Sequence, residues 1–215
     1  MVAAGKSSIA KILGEALGSE VFYENVDNND ILPLFYTAPK EEQESKRYPF
    51  LLQLDFLDSR FRDMKKAVKH NHNILDREIR EDIYFAKVNT DLGNISELEF
   101  KIYKKLINNM LEELEELPQK TPHLIIYLKG SFETIMERIE MRGRDFEQDS
   151  DDDGSKDLRD YYYKLWSGYD DWMANNYENS EVITFNIDEL DFVKNKEDAD
   201  FVVKVVKDKL KEMGI

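Results

Sequence analysis

The chain opens "MVAAGKSSIAKIL" (1–13), and residues 4–8 read A-G-K-S-S. Gly-Lys-Ser ahead of a helix is the back half of the phosphate-binding pattern G-x-x-x-x-G-K-[ST]. Backbone N–H groups at a helix start point at an anion, and the helix dipole favours negative charge there. On that reading Gly5, Lys6, Ser7 and Ser8 form a cradle. Lys6 reaches the β- and γ-phosphates of a nucleotide such as ATP, and Ser7 binds Mg²⁺. With Gly5 as the second glycine, the first would fall one residue ahead of Met1. A plain helix N-terminus with a serine cap looks the same over four residues. The rest of the chain has to decide between them.

Beyond this segment, helical and extended patterns alternate. Apolar residues Ile9, Ile12, Leu13, Ala16 and Leu17 fall at helical spacing and predict a helix over 6–17, closed by Gly18. Short apolar runs at 20–24, 73–76, 123–129 and 181–187 predict strands. Helical patterns are expected at 50–69, 78–88, 96–116, 131–144, 158–177 and 197–213, with a Ser131 cap on the fourth. Residues 25–49, punctuated by Pro and Asn, read as a loop, and the acidic stretch 145–157 as a mobile loop. Strands alternating with helices predict an α/β fold: a parallel sheet covered on both faces. In a phosphate-loop protein a buried strand feeds the loop. No such strand precedes Gly5, so a longer N-terminus with Met1 internal to it is expected, its first strand and glycine missing from this sequence.

Composition narrows the classes. The 215 residues fit a single domain (1–215), and a formal net charge of −15 disfavours general binding of nucleic acid polymers or anionic membranes. A local basic site for one small anion stays possible. There is no cysteine, so no disulfide framework and no thiolate chemistry. No apolar run is long enough to span a membrane, and no signal-peptide pattern opens the chain. A soluble, cytoplasmic protein is expected.

Three further segments carry candidate chemistry. In "LDRE" (75–78), Asp76 and Arg77 end a buried strand, at the carboxyl-end crevice where α/β sheets bind ligands. The carboxylate suits Mg²⁺ through water and the arginine suits phosphate, although a surface Asp–Arg pair is the commoner meaning of such a dipeptide. In "RIEMRGR" (138–144), Arg138 and Arg142 share a helix face and Arg144 follows Gly143. Three arginines in seven residues suit a clamp on a transferring phosphoryl group; the alternative is a basic helix end matching its dipole. Glu24 closes the first strand candidate and suits a general base, but most carboxylates are merely solvated. His70, His72 and His123 read as structural, and "YYYKLW" as helix packing.

In order and spacing, "AAGKS", "FYENVDNNDILPLFY", "YPFLLQLDFLDSRF", "LDREIRED", "RIEMRGRDFE" and "NIDELDF" resemble the deoxynucleoside kinases, nearest to the bacterial deoxyadenosine and deoxyguanosine kinases. The resemblance covers nearly the whole chain. It implies a phosphate-loop fold with a five-stranded parallel sheet, usually a homodimer, and an arginine lid over about 138–157. The reaction implied is transfer of the γ-phosphoryl of ATP, or another nucleoside triphosphate, to a deoxynucleoside 5′-hydroxyl in nucleotide salvage. By resemblance Glu24 takes the 5′-hydroxyl proton and Arg77 stands next to the 5′-oxygen. Tyr36 and Glu147 hold the sugar 3′-hydroxyl. Gln53 bonds the base edge, and Arg60 with Asp82 reads the rest of it. Asp76 lies near Mg²⁺. Arg138, Arg142 and Arg144 match lid arginines, and Asp188 and Leu190 lie in the loop on the ATP adenine. A base edge with both donors and acceptors would satisfy a buried Arg60–Asp82 pair. Thymine, lacking the amino donor and carrying a methyl group, should fit worse.

The sequence departs from the family pattern at Glu78, where serine is usual, and at Arg80, where a neutral residue is common. Two rivals stand beside the leading reading. A nucleoside monophosphate kinase of the thymidylate type shares the loop and the lid, but the "YENVD" acid and the Gln53–Arg60–Asp82 set weigh against it. The other is a non-catalytic nucleoside-binding or dimerising protein that has lost nucleotide binding.

Overall fold

The computed structural model describes residues 1–215 except 25, 27, 70–71, 114–120, 149–157 and 178–179. His70 and most of the acidic stretch therefore lie outside the described residues. Helix α1 runs Lys6–Leu17, as its apolar spacing predicts, and strand β1 follows at Glu20–Phe22. Gly14 lies mid-helix because α1 rests directly on β1: a Cβ there would come within 2.3 Å of Val21 Cγ2. Gly18, with φ of 65°, ends the helix and donates its N–H to the Gly14 carbonyl.

Two helices, α2 (Ile31–Thr37) and α3 (Lys40–Lys46), occupy what reads as a loop. The prolines mislead: Pro33 lies in the first turn of α2 and Pro39 just ahead of α3, where a missing N–H costs nothing. Asn29 accepts from the Ile31 and Leu32 N–H groups and caps α2. Helix α4 (Tyr48–Ala67) leads to strand β2 (Asn73–Leu75), then α5 (Glu81–Asp91) and α6 (Glu97–Glu113). Strand β3 (Leu124–Lys129), α7 (Phe132–Arg142) and a 3₁₀ turn at Asp145–Glu147 follow. Ser131 caps α7 as expected, accepting from Thr134 N–H at 3.2 Å. The aromatic segment is two helices, α8 (Leu158–Ser167) and α9 (Tyr169–Asn176), broken at Gly168. Strand β4 (Glu181–Asn186) and α10 (Lys196–Glu212) close the chain.

All four predicted strands form, in two parallel pairs. Strand β1 pairs with β2, with Val21 opposite Ile74, and β3 pairs with β4, with Ile126 opposite Ile183. Each pair is joined by a helical crossover, as parallel pairing requires. Among the described residues the two pairs are not hydrogen-bonded to each other, so one continuous sheet is not seen. Both pairs pack into one main core with Leu13, Phe35, Ile135, Tyr162, Leu165 and Val202. A second cluster, including Leu57, Ile95, Tyr103 and Ile107, fastens α4, α5 and α6 together. Between these cores the C-terminal ends of β1 and β2 open into a polar cleft.

Candidate active site

The cleft gathers side chains from most of the segments singled out above, but not from Gly5–Ser8 or the loop holding Asp188 and Leu190. Glu24 follows β1; Gln53 and Arg60 project from α4, Arg77 follows β2 and Asp82 lies in the first turn of α5. Tyr36, Arg142, Arg144 and Glu147 close it from α2, α7 and the 3₁₀ turn. Its volume is about 70 Å³, small because ion pairs span it.

Arg60 is the bridge. One guanidinium nitrogen pairs with Asp82 and the other with Glu24. The Phe56 ring, 4.7 Å from the Arg60 Cζ, supports the guanidinium. Asp82 is fully buried, yet among the described residues neither of its carboxylate oxygens has a well-aligned hydrogen bond and Arg60 Nε has no hydrogen-bond partner. The pair thus keeps open both an acceptor and a donor. Arg77 Nε lies 3.2 Å from Glu24, so Glu24 sits between two arginines. Burial by itself would push the Glu24 carboxyl up; Arg77, Arg60 and Lys6 outweigh it and hold Glu24 at about 2. It is ionised throughout the physiological range.

At the start of α1, Gly5 adopts φ of 95°, and a Cβ there would meet the Phe192 ring at 3.2 Å. Only glycine is at ease with both. Lys6 donates to the Met1 carbonyl, and desolvation lowers its ammonium to about 8. Ser7 donates to one oxygen of Asp76, while the other Asp76 oxygen is buried with no hydrogen-bond partner among the described residues. An orphan carboxylate oxygen beside a hydroxyl is a donor set that suits Mg²⁺. Ser8, in the first turn of α1, is half-buried.

The arginines after β3 are engaged differently from one another. Arg142 and Arg144 both pair with Glu147, whose carboxylate is nearly fully buried. Arg138 turns the other way and donates to the carbonyls of Ala4 at 3.0 Å and Ile187 at 3.1 Å. It ties α1's approach to the end of β4. Tyr36 hydrogen-bonds Tyr162, whose hydroxyl reaches the Glu147 carbonyl at 3.3 Å. In the last loop Asp188 accepts from Ser131 N–H and Oγ, and Leu190 packs on the main core.

Glu78 and Arg80 turn out to be partners. Glu78 pairs with the Arg80 guanidinium at 2.7 Å, accepts its N–H, and takes a bond from Tyr177. They order the turn after β2 and dock it on the end of α9. Two residues missed by sequence reading belong to the site. Phe192 packs on Gly5, and Glu81 contacts Arg77. Arg77 lies in the turn ahead of α5, so helical spacing gives no signal for its contact with Glu81.

A deoxynucleoside kinase family model matches residues 1–211. The chain belongs to the deoxynucleoside kinase family. It is 42% identical over 213 residues to a deoxyguanosine kinase of Lactobacillus johnsonii, covering 99% of this chain and 91% of that one. It is likewise 42% identical over 213 residues to a deoxyadenosine kinase of Lactobacillus acidophilus, covering 99% and 94%. Among solved structures, deoxyadenosine kinase from M. mycoides with bound dCTP superposes with a TM-score of 0.76 at 27% identity, covering 99% of this chain and 96% of that one. The same kinase with bound dATP gives 0.76 at 28% identity, covering 96% of each chain. This deoxynucleoside kinase has no helix among its described residues long and apolar enough to cross a membrane.

Proposed function

We propose that the chain transfers the γ-phosphoryl of ATP to the 5′-hydroxyl of a deoxynucleoside, with deoxyadenosine and deoxyguanosine preferred and deoxycytidine accepted. The observation that carries this reading is the single cleft holding Glu24, Arg77, Gln53, Arg60 and Asp82 together. The 5′-oxygen attacks the γ-phosphorus as the bond to the β–γ bridging oxygen breaks, and ADP leaves. Phosphoryl transfer of this kind rests on positioning and charge stabilisation. Glu24, ionised and anchored, accepts the hydrogen bond of the 5′-hydroxyl and orients it. It takes the proton late, once transfer has made that oxygen acidic. Lys6 and Arg77 balance charge on the phosphates.

Ser7 and Asp76 are the residues that would hold Mg²⁺. Bound there, the ion neutralises charge on the triphosphate oxygens. No cluster of three or more His, Asp or Glu among the described residues offers a fuller set. Mg²⁺ at triphosphate sites commonly keeps only one or two protein ligands.

Base preference follows from the open donor and acceptor on Arg60 and Asp82. Adenine presents an acceptor at N7 and a donor at N6; thymine presents only the O4 acceptor and a methyl group on the comparable edge. Small-molecule pockets span about 300–1,000 Å³. Binding therefore turns Arg60 away from Glu24 toward the base. It also frees Arg142 and Arg144 from Glu147, as Glu147 and Tyr36 take the sugar 3′-hydroxyl. The two arginines then serve with Arg138 as the lid, and Asp188 and Leu190 border the ATP adenine.

The proposal extends to a single domain in which β1–β2 and β3–β4 belong to one parallel sheet flanked by helices, and to a cytoplasmic homodimer. Exposed Leu98, Ile102 and Leu106 make an i, i+4, i+8 apolar stripe on α6, which supports a self-association face. Phosphate transfer from labelled ATP to each deoxynucleoside tests the reaction. Analytical ultracentrifugation of L98E/I102E tests the dimer: monomer is expected, and an unchanged sedimentation coefficient would refute that face.

A further inference from the structure

Glu81 opens α5 and is buried, with only 8% of its surface exposed. One carboxylate oxygen accepts the Tyr169 hydroxyl at 2.6 Å, and the other lies 3.4 Å from Arg77 Nη1. Arg77 in turn reaches Glu24 through Nε. Phe85 lies under the guanidinium, 4.8 Å from its centre. Two buried groups and two half-buried ones, from four segments, therefore form one line: Tyr169 on α9, Glu81 on α5, Arg77 after β2, and Glu24 after β1.

The polarity of this line is fixed. Burial raises the Tyr169 hydroxyl well above its ordinary range, and Glu81 raises it further, so Tyr169 remains a donor. Burial pushes Glu81 up too, but the N-terminal ammonium first, then Arg77, Lys6 and the Tyr169 bond, hold it below the usual carboxylate range. If Glu81 only joined α5 to α9, an apolar side chain would do so without burying a charge. Its contacts instead point at Arg77, one of the two arginines that touch Glu24. Arginine has many rotamers, and a second anion on the far side of the guanidinium removes most of them.

We propose that Glu81, itself held by Tyr169, is the positioning residue that fixes Arg77 against Glu24 at the 5′-oxygen site. This rests on the kinase reading above. It touches neither substrate nor phosphate; it acts through Arg77. Loss of the positioning is expressed in the transfer step and leaves recognition of the base, by Gln53, Arg60 and Asp82, intact.

The test is steady-state kinetics of the full chain carrying Glu81→Gln or Tyr169→Phe, with thermal unfolding measured beside it. A misplaced catalytic group costs about 10- to 100-fold, so E81Q should lower kcat by that factor. KM for the deoxynucleoside should stay within about twofold. Y169F removes one hydrogen bond to a charged group and should lower kcat about three- to tenfold. A purely structural role would lower the melting temperature and leave kcat of the folded protein unchanged, and that result overturns the proposal. So does a rise in KM alone. If E81Q does not fold, Y169F decides by the same criterion. NMR relaxation of the Arg77 Nε–H group reads the positioning without turnover. It should be rigid in the parent chain and mobile in Y169F; equal rigidity overturns the proposal. A parent chain that phosphorylates no deoxynucleoside would instead refute the kinase reading, and the Arg77 relaxation would still decide the role of Glu81.

Discussion

Arg60→Met separates the two jobs of Arg60, and its cost can be worked from the structure. The Arg60 side chain is 8% exposed and that of Asp82 is 1% exposed. Removing the guanidinium leaves Glu24 with Arg77 but leaves Asp82 as a buried carboxylate with no cation beside it. Breaking a buried pair by deleting one partner costs about 3–5 kcal/mol. For a domain of this size each kcal/mol is about 2–4 °C, so the melting temperature should fall by roughly 6–20 °C. Adding Asp82→Asn removes the stranded charge, and the double variant should recover at least about half of the loss. Urea unfolding followed by the fluorescence of Trp166 and Trp172 measures all three proteins. If R60M stays within about 1 kcal/mol of the parent, or the double variant is the least stable of the set, the buried-pair reasoning fails. The refolded double variant should still discriminate poorly among bases, which separates stability from recognition.

Two further predictions concern the phosphate end. With Glu24 at about 2, kcat/KM for ATP should show no acid limb down to about pH 5; with Lys6 at about 8, it should fall about tenfold per pH unit above that value. The sign follows from the charge the triphosphate needs: Lys6 binds it as a cation and loses the proton as pH rises. A limb between pH 5 and 6 would contradict the assignment of Glu24. Ser7→Ala should raise the Mg²⁺ concentration for half-maximal activity by about tenfold or more, because Ser7 and Asp76 form one donor set. An unchanged Mg²⁺ titration would remove Ser7 from the metal site.

The sequence makes the parallel pairs legible because "EVFYE", "NILD", "HLIIYLK" and "EVITFNI" are short apolar runs separated by helical periodicity. It hides α2 and α3 because proline reads as a breaker, whereas Pro33 and Pro39 sit where the first turn has no hydrogen bond to lose. It hides the break between α8 and α9 because aromatic periodicity runs through Gly168. The site residues are legible one at a time, from motif order. Their pairing is not. Glu24 and Arg60 are 36 positions apart, and only the docking of α4 on β2, the strand paired with β1, brings them into contact. Asp188 reads as an adenine-loop acid, yet its carboxylate spans to Ser131, 57 positions away. Glu78 and Arg80, which break the family pattern, are explained by Tyr177, a partner no local spacing reveals.

Phosphoryl transfer to a purine deoxynucleoside in this one cleft is tested most directly by incubating the chain with Mg²⁺ and ATP and each of the four deoxynucleosides, and resolving the products by chromatography. Formation of dAMP or dGMP at the highest rates, with dCMP slower and dTMP slowest, is the predicted result. Turnover of thymidine alone, or of none of the four, would contradict it.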